Sequence, residues 1–304
     1  MPSYQLARTL LLGVLSPLKS LGLKFPKQLT RHLHYRGTVS VRVDSGKQFK
    51  MKSYGHAIEN NLYWYGLNGH EPETLIPWLR AASQANVILD IGSNTGLFSF
   101  AAAAQNKNVK IYAFEPLPRV AGILRENADL NPRSRVTVVE RAVSDEPGVA
   151  RIFDPGGDQP ASASLRSDFL SIDTEPVDVT TVSIDSFLAE ERIEQEPVDL
   201  IKLDVEGVEE FALRGMRSTI KKYKPAIFME MVDERRALVE AICELTEMGY
   251  QIVSLTSDSK KSGPSHGNER NVLLATDPSQ FVSHGEFSKL DLSSHKLQQN
   301  HKAA

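Results

Sequence analysis

Two periods run along the chain. From about residue 38 to 54, apolar and polar side chains alternate on either side of Asp44-Ser45-Gly46, the pattern of a β-hairpin with one buried face. Residues 56–83 have helical spacing at both ends and break at "NGHEP". Beyond that point short apolar runs alternate with stretches whose apolar positions recur every three or four residues. The runs Val87–Ile91, Val109–Phe114, Val136–Glu140, Val198–Asp204 and Ala226–Met231 predict strands. Gly96–Gln105, Arg119–Asp129, Ile184–Glu190, Val208–Lys221 and Glu234–Met248 predict helices. Residues 149–182 interrupt this rhythm with strand-like segments around "DPGGDQPASASLRSD", a long loop that suits a lid or a plain insert. Tyr250–Leu255 and Asn271–Ala275 predict two strands with no helix between them, an antiparallel hairpin closing the sheet. This β-α-β order predicts an α/β fold, a mainly parallel sheet with helices on both faces. Three segments follow: a basic extension over 1–70 (helix, β-hairpin, helix), the α/β domain over 71–276, and a polar, frayed tail over 277–304.

Composition changes little in that picture. The 304 residues are 41% hydrophobic and 24% charged, and the net charge of −3 points to no nucleic-acid partner. Cys243 is the only cysteine, so there is neither an internal disulfide nor a cysteine metal cluster, as suits a cytoplasmic protein. The charge distribution matters more. The first sixty residues carry ten Lys and Arg against Asp44 and Glu59. The apolar run Leu10–Leu15 is far shorter than the roughly 20 residues needed to span a bilayer. An amphipathic helix packed on the domain is the simpler reading. Peripheral contact with the inner face of a membrane is the alternative.

Candidate chemistry begins at "VILDIGSNTGLFSF", a strand, a tight turn and a helix. Gly92 and Gly96 let the backbone turn sharply and approach a ligand. The N–H groups that open the helix favour an anion. Asp90 at the strand end suits an ammonium group. Glu115, nineteen residues after Gly96 at the end of the next strand, suits both hydroxyls of a ribose. A dinucleotide site would need G-x-G-x-x-G, but Ser93-Asn94 stand at the second glycine, and an acid before the turn would repel a pyrophosphate. An amino acid joined to a nucleoside fits better, namely S-adenosylmethionine.

The segments "LDIGSNTGLFSF", "YAFEPLP" and "LIKLDVEGVEEFALRGM" resemble the FkbM-type S-adenosylmethionine-dependent methyltransferases. The resemblance runs from about Glu71 to Ala275; the middle segment is shared with many class I methyltransferases. It implies a Rossmann-like, seven-stranded class I fold and methyl transfer to a hydroxyl of a glycan, glycolipid or other hydroxylated metabolite. It also implies that Glu71 lies near the cofactor's amino group, that Pro116 follows Glu115 along the site, and that Arg141 and Ala142 contact the adenine. Ser93-Asn94 replaces a frequent Ala-Asn.

The resemblance sets the "KLDVEG" strand beside the first strand, its carboxyl end facing the cofactor. There Lys202, Asp204 and Glu206 recur at every second position, and Glu230 ends the neighbouring strand as a partner for Lys202. Asp204 or Glu206 is the expected base for the acceptor hydroxyl, with His70 as an outside candidate. Two other readings stay open: a structural ion network, and a divalent ion held by Asp204, Glu206 and Glu230. Tyr63, Trp64 and Tyr65 either floor a sugar site or form core. The alternatives in function are an NAD(P)-linked oxidoreductase and a nucleoside-binding module without catalysis.

Overall fold

The computed structural model describes residues 2–154, 176–231, 235–255, 270–283 and 288–290. Most of the candidate lid and the stretch 256–269 fall outside them. Helix α1 (Pro2–Ser20) and the short α2 (Lys27–Thr30) precede a hairpin, β1 (Gly37–Asp44) and β2 (Lys47–Ser53). Helix α3 (Ala57–Tyr65) leads through a 3₁₀ turn at Gly66–Gly69 into α4 (Pro72–Ala82). The alternating part then runs β3 (Val87–Ile91), α5 (Leu97–Gln105), β4 (Lys110–Phe114), α6 (Pro118–Leu130) and β5 (Val136–Val139). Next come β6 (Ala142–Val143), β7 (Gly148–Phe153), β8 (Pro176–Val182) and α7 (Ile184–Glu190). The chain returns through β9 (Leu200–Leu203), α8 (Glu209–Gly215), α9 (Arg217–Tyr223), β10 (Ala226–Met231) and α10 (Arg236–Glu247), then β11 (Gln251–Ser254), β12 (Arg270–Ala275) and β13 (Ser288–Lys289).

The central sheet has the order β13-β11-β12-β10-β9-β3-β4-β5. Strands β5, β4, β3, β9 and β10 are parallel, and β12 runs antiparallel between β10 and β11. Strand order reverses at β3 and β9, so their carboxyl ends form the natural crevice. The expected closing hairpin is present, but the sheet has eight strands rather than seven. β13 pairs with β11 and belongs to the segment read as a frayed tail, where Val282 is also buried. A two-residue strand has no period to read. The segment 149–182 forms a separate sheet of order β6-β8-β7.

The helix expected over Val208–Lys221 is two helices, broken at Met216. A side chain on Gly215 would stand 2.0 Å from the carbonyl oxygen of Ser144, so the helix presses on a neighbouring loop just before the break. Strand β9 is likewise shorter than expected and ends at Leu203.

Each face of the sheet has its own core. Leu89, Ile91, Ile201, Leu203, Met229 and Met231 pack with residues of α7, α8, α9 and α10. On the opposite face Ile88, Leu200 and Phe228 pack with Trp78 of α4 and Phe100 of α5. Val39, Val41, Phe49 and Met51 join that second cluster, so the hairpin shares a core with the sheet.

Candidate active site

The charged row lies on the hairpin side of the sheet. Period two puts Asp90, Lys202 and Glu230 on the same face as Ile88, Leu200 and Phe228, but nearer the carboxyl ends. Asp90 is the register partner of Lys202, Lys202 that of Phe228, and Glu230 that of Asn271 on β12. Lys202 is 1% exposed. Its Nζ donates to Asp204 Oδ2 at 2.9 Å and stands 4.9 Å above the Phe98 ring. Burial works against its charge, yet Asp204 and then Glu71 outweigh burial and raise its pKa, so the ammonium persists.

Glu230, expected to pair with Lys202, is hydrogen-bonded to Asp204, and the nearby Lys202 charge favours its ionised form. The charge of Asp204, then burial, raise its pKa far above the carboxylate range. Glu230 is therefore the protonated member and donates to Asp204, the carboxylate that serves both neighbours. A protonated Glu230 cannot act as the base.

Asp204 follows the end of β9, where its N–H donates to Ile91 O at 3.0 Å. A Cβ on Gly92 would meet the Asp204 carbonyl oxygen at 1.7 Å, so only glycine fits where the two loops cross. Glu206 turns away from strand geometry, with φ 53°, followed by Gly207 at φ 95°. Two groups that sequence reasoning passed over brace this turn. Glu209 accepts from Gly207 N at 2.8 Å, and Arg235 donates to Gly207 O and to Glu210 Oε2 at 3.0 Å. Burial raises the Glu209 pKa to about 7.

The glycine turn has its own braces. Gly92, Asn94 and Gly96 have φ of 80°, 51° and 95°. Ser93 Oγ donates to Asp90 O at 2.6 Å, and Asn94 Oδ1 accepts from Thr95 N at 2.8 Å. Glu115 accepts from Asn94 N and from Leu117 N, each at 3.0 Å, and so ties the turn to the start of α6. Burial raises its pKa to about 7 against those bonds. Pro116 is half-buried beside it. Asp90 is fully enclosed: Ser99 Oγ donates to it at 2.5 Å, and burial raises its pKa to about 6. An acid so placed supports the turn from beneath; a ligand reaches it only if Ser99 gives way. From the extension, Glu59 accepts from Thr95 Oγ1 at 2.6 Å, while its buried Oε2 has no hydrogen-bond partner.

Glu71 precedes α4 in the left-handed region, φ 38°, and its carboxylate makes no capping bond to the helix. Its Oε1 lies 3.2 Å from His70 Nε2, and Asn271 Nδ2 donates to Oε2 at 3.4 Å. Burial works against its charge, but the His70 bond and the nearby charges of His70 and Lys202 hold its pKa well below the usual range. The His70 pKa is raised: burial opposes its charge and Glu71 overrides it. Among the five non-glycine residues with positive φ in the described chain, Glu71, Asn94 and Glu206 all belong to these segments. Strain of this kind gathers at functional sites.

Other expected residues have protein partners of their own. Arg141 pairs with Glu190 at 2.7 Å on the surface, and Ala142 packs with Leu117, Val120 and Val179. Tyr63 stacks on Tyr35 at 4.0 Å between centroids, and Trp64 Nε1 donates to Leu33 O at 3.1 Å. Tyr65 bonds Thr30. These aromatics hold the extension together. The described residues contain no group of three His, Cys, Asp or Glu arranged for a metal, and Asp204 Oδ2 already faces the Lys202 ammonium.

The donors and acceptors suit S-adenosylmethionine. Asn271 Oδ1 is buried without a partner beside the Glu71 carboxylate, an electronegative lobe for an ammonium group. Helix α5 begins at Gly96 without a side-chain cap, so its N–H groups are placed for a carboxylate. Asn271 and Glu59 were missed because each lies far in sequence from the motif that it serves.

Sheet order β5-β4-β3-β9-β10-β12-β11, with β12 reversed, is that of the class I methyltransferases. The family model described as Methyltransferase FkbM domain matches residues 90–252, and the chain belongs to that family. Membership displaces the NAD(P)-linked alternative. The chain is 31% identical over 160 residues to the 2-O-methyltransferase NoeI of Sinorhizobium fredii (strain NBRC 101917 / NGR234), covering 49% of this chain and 64% of that protein. It is 28% identical over 195 residues to the 31-O-demethyl-FK506 methyltransferase FkbM of Streptomyces tacrolimicus, covering 56% of this chain and 74% of that one. Among solved structures, methyltransferase FkbM from Methylobacillus flagellatus KT matches with TM-score 0.44 and 18% identity, covering 72% of this chain and 52% of that chain.

Proposed function

We propose that this chain transfers a methyl group from S-adenosylmethionine to a hydroxyl oxygen of a glycan, glycolipid or other hydroxylated metabolite. The Lys202–Asp204–Glu230 cluster, set at the carboxyl ends of adjacent strands beside the glycine turn, carries the reading. The names of both curated relatives describe methyl transfer to oxygen.

When bound, S-adenosylmethionine supplies a methyl group on a sulfonium sulfur. Glu71 and the unpartnered Asn271 Oδ1 receive its ammonium, and the α5 N-terminus its carboxylate. Glu115 accepts from the ribose hydroxyls with the lone pairs left over from Asn94 N and Leu117 N. Arg141 and Ala142, just past β5, would border the adenine. Asp204 would take the proton of the acceptor hydroxyl as that oxygen accepts the methyl group that the cofactor supplies. Lys202 and the protonated Glu230 fix the Asp204 carboxylate in one orientation, so little rearrangement accompanies the reaction. His70 stays paired with Glu71 and serves to hold it.

The test is a labelled-methyl screen over hydroxylated glycans, glycolipids and small metabolites, run with titration calorimetry of S-adenosylhomocysteine. Cofactor binding with transfer to at least one hydroxyl supports the reading. Binding without transfer to any acceptor would favour the non-catalytic module.

A further inference from the structure

Helix α1 carries apolar side chains outward as well as inward, where Leu12, Leu15 and Leu18 are half-buried. Leu10, Val14, Pro17 and Leu21, spaced four, three and four residues apart, lie along one side and are all exposed. Leu10 is 63% exposed, Val14 61% and Leu21 76%. The opposite side meets the body, where Lys19 Nζ stands 4.7 Å above the Tyr63 ring. The segment that follows is pinned too: Phe25 packs edge-on against Trp64 and Lys27 lies over Tyr65. The apolar stripe is thus held outward on an anchored base and continues into exposed Leu23 and Leu29.

Charge selects the partner. No acid occurs before Asp44, whereas Arg8, Lys19, Lys24, Lys27, Arg31, Arg36 and Arg42 precede it. Lys24, Lys27 and Arg31 are exposed beside the stripe. A second copy of this chain would bring cations against cations. An anionic bilayer surface offers acyl chains to the stripe and headgroup charge to its rim. We infer that the outward face of α1, with the 21–31 segment, docks this protein on an anionic lipid surface. No helix among the described residues is long and apolar enough to cross a membrane, so contact is peripheral. The inference stands apart from the identity of the methyl acceptor.

Sedimentation of the full chain with vesicles tests it, using phosphatidylcholine alone and phosphatidylcholine mixed with phosphatidylglycerol. Binding should require the anionic lipid and fall at about 1 M salt, where charge is screened within about 3 Å. Replacing Leu10, Val14 and Leu21 together by Gln should weaken binding about tenfold or more. So should Lys24→Glu with Arg31→Glu, as each cation near the surface contributes about fivefold. Melting temperature, taken on both variants, checks that they fold; the exposed charge pair keeps the test sound if the Gln variant does not. Equal pelleting with both vesicles, no pelleting at all, or variants that bind like the parent would overturn the inference. So would a concentration-dependent dimer that the Gln variant abolishes in a chain that ignores vesicles.

Discussion

The same three strands, β3, β9 and β10, present different chemistry to their two sides. Toward α7–α10 they show Leu89, Ile91, Ile201, Leu203, Met229 and Met231, apolar to the carboxyl ends. Toward α4, α5 and the hairpin they begin apolar, with Ile88, Leu200 and Phe228, and end in Asp90, Lys202 and Glu230. Backbone, twist and register are shared, so strand formation does not require the charges. Isolated burial of a lysine and two acids costs free energy that the apolar face does not incur. Lys202 and Glu230 offset this cost by pairing around Asp204, and Asp90 by its bond from Ser99, all where the crevice opens. One face holds the sheet together; the other is shaped for a ligand.

Substitutions on the two faces should therefore differ in size and kind. Lys202→Met should show the largest effect, about 3–5 kcal/mol of stability by denaturant unfolding, because Asp204 and Glu71 lose the cation that holds them. A Met tolerated without loss would mean that the row has no paired charge. Thr95→Val should cost about 1–3 kcal/mol, since Glu59, one of whose oxygens already accepts no hydrogen bond, would lose the donor to the other. Ile201→Val on the apolar face should cost only about 0.5–1.5 kcal/mol and leave turnover unchanged. A large loss of activity there would erase the distinction between the faces.

Glu115 sharpens the comparison through pH. Its folded pKa, about 7, lies above the ordinary 4.5, so the folded state resists its ionisation. Without cofactor, stability should fall as pH rises from about 4.5 through 7 and level off above. Glu115→Gln should remove that part of the slope, roughly 2–3 kcal/mol across the window, whatever its constant offset. Melting curves of both proteins over this range are the check; parallel curves would mean that Glu115 ionises as freely folded as unfolded.

Much of this was legible in the sequence. The alternation of strand and helix gave the parallel sheet, and Asp90, Lys202 and Glu115 stand at the carboxyl ends of β3, β9 and β4, while the period of the "KLDVEG" row stops with β9 at Leu203 and Glu206 turns out of it. Distant contacts were not legible. Asn271 reaches Glu71 across 200 residues, and Glu59 reaches Thr95 from another helix. The break at Met216 follows close packing of Gly215 on Ser144, which no helical period encodes. Trp64 and its neighbouring tyrosines fitted a sugar platform equally well until Tyr35 and Leu33 were found against them. The protonation of Glu230 depends on Asp204 standing beside it, which only the fold arranges.

Asp204→Asn puts the central claim to its most direct trial. The amide keeps the shape of Asp204 and removes its capacity to accept a proton. Against the acceptor found by the labelled-methyl screen, turnover should fall by about 10²–10⁴-fold. Calorimetric affinity for S-adenosylhomocysteine should stay within a few fold of the parent, showing that the fold and the cofactor half of the site persist. Undiminished turnover with the cofactor still bound would contradict the account and return the row to a structural ion network.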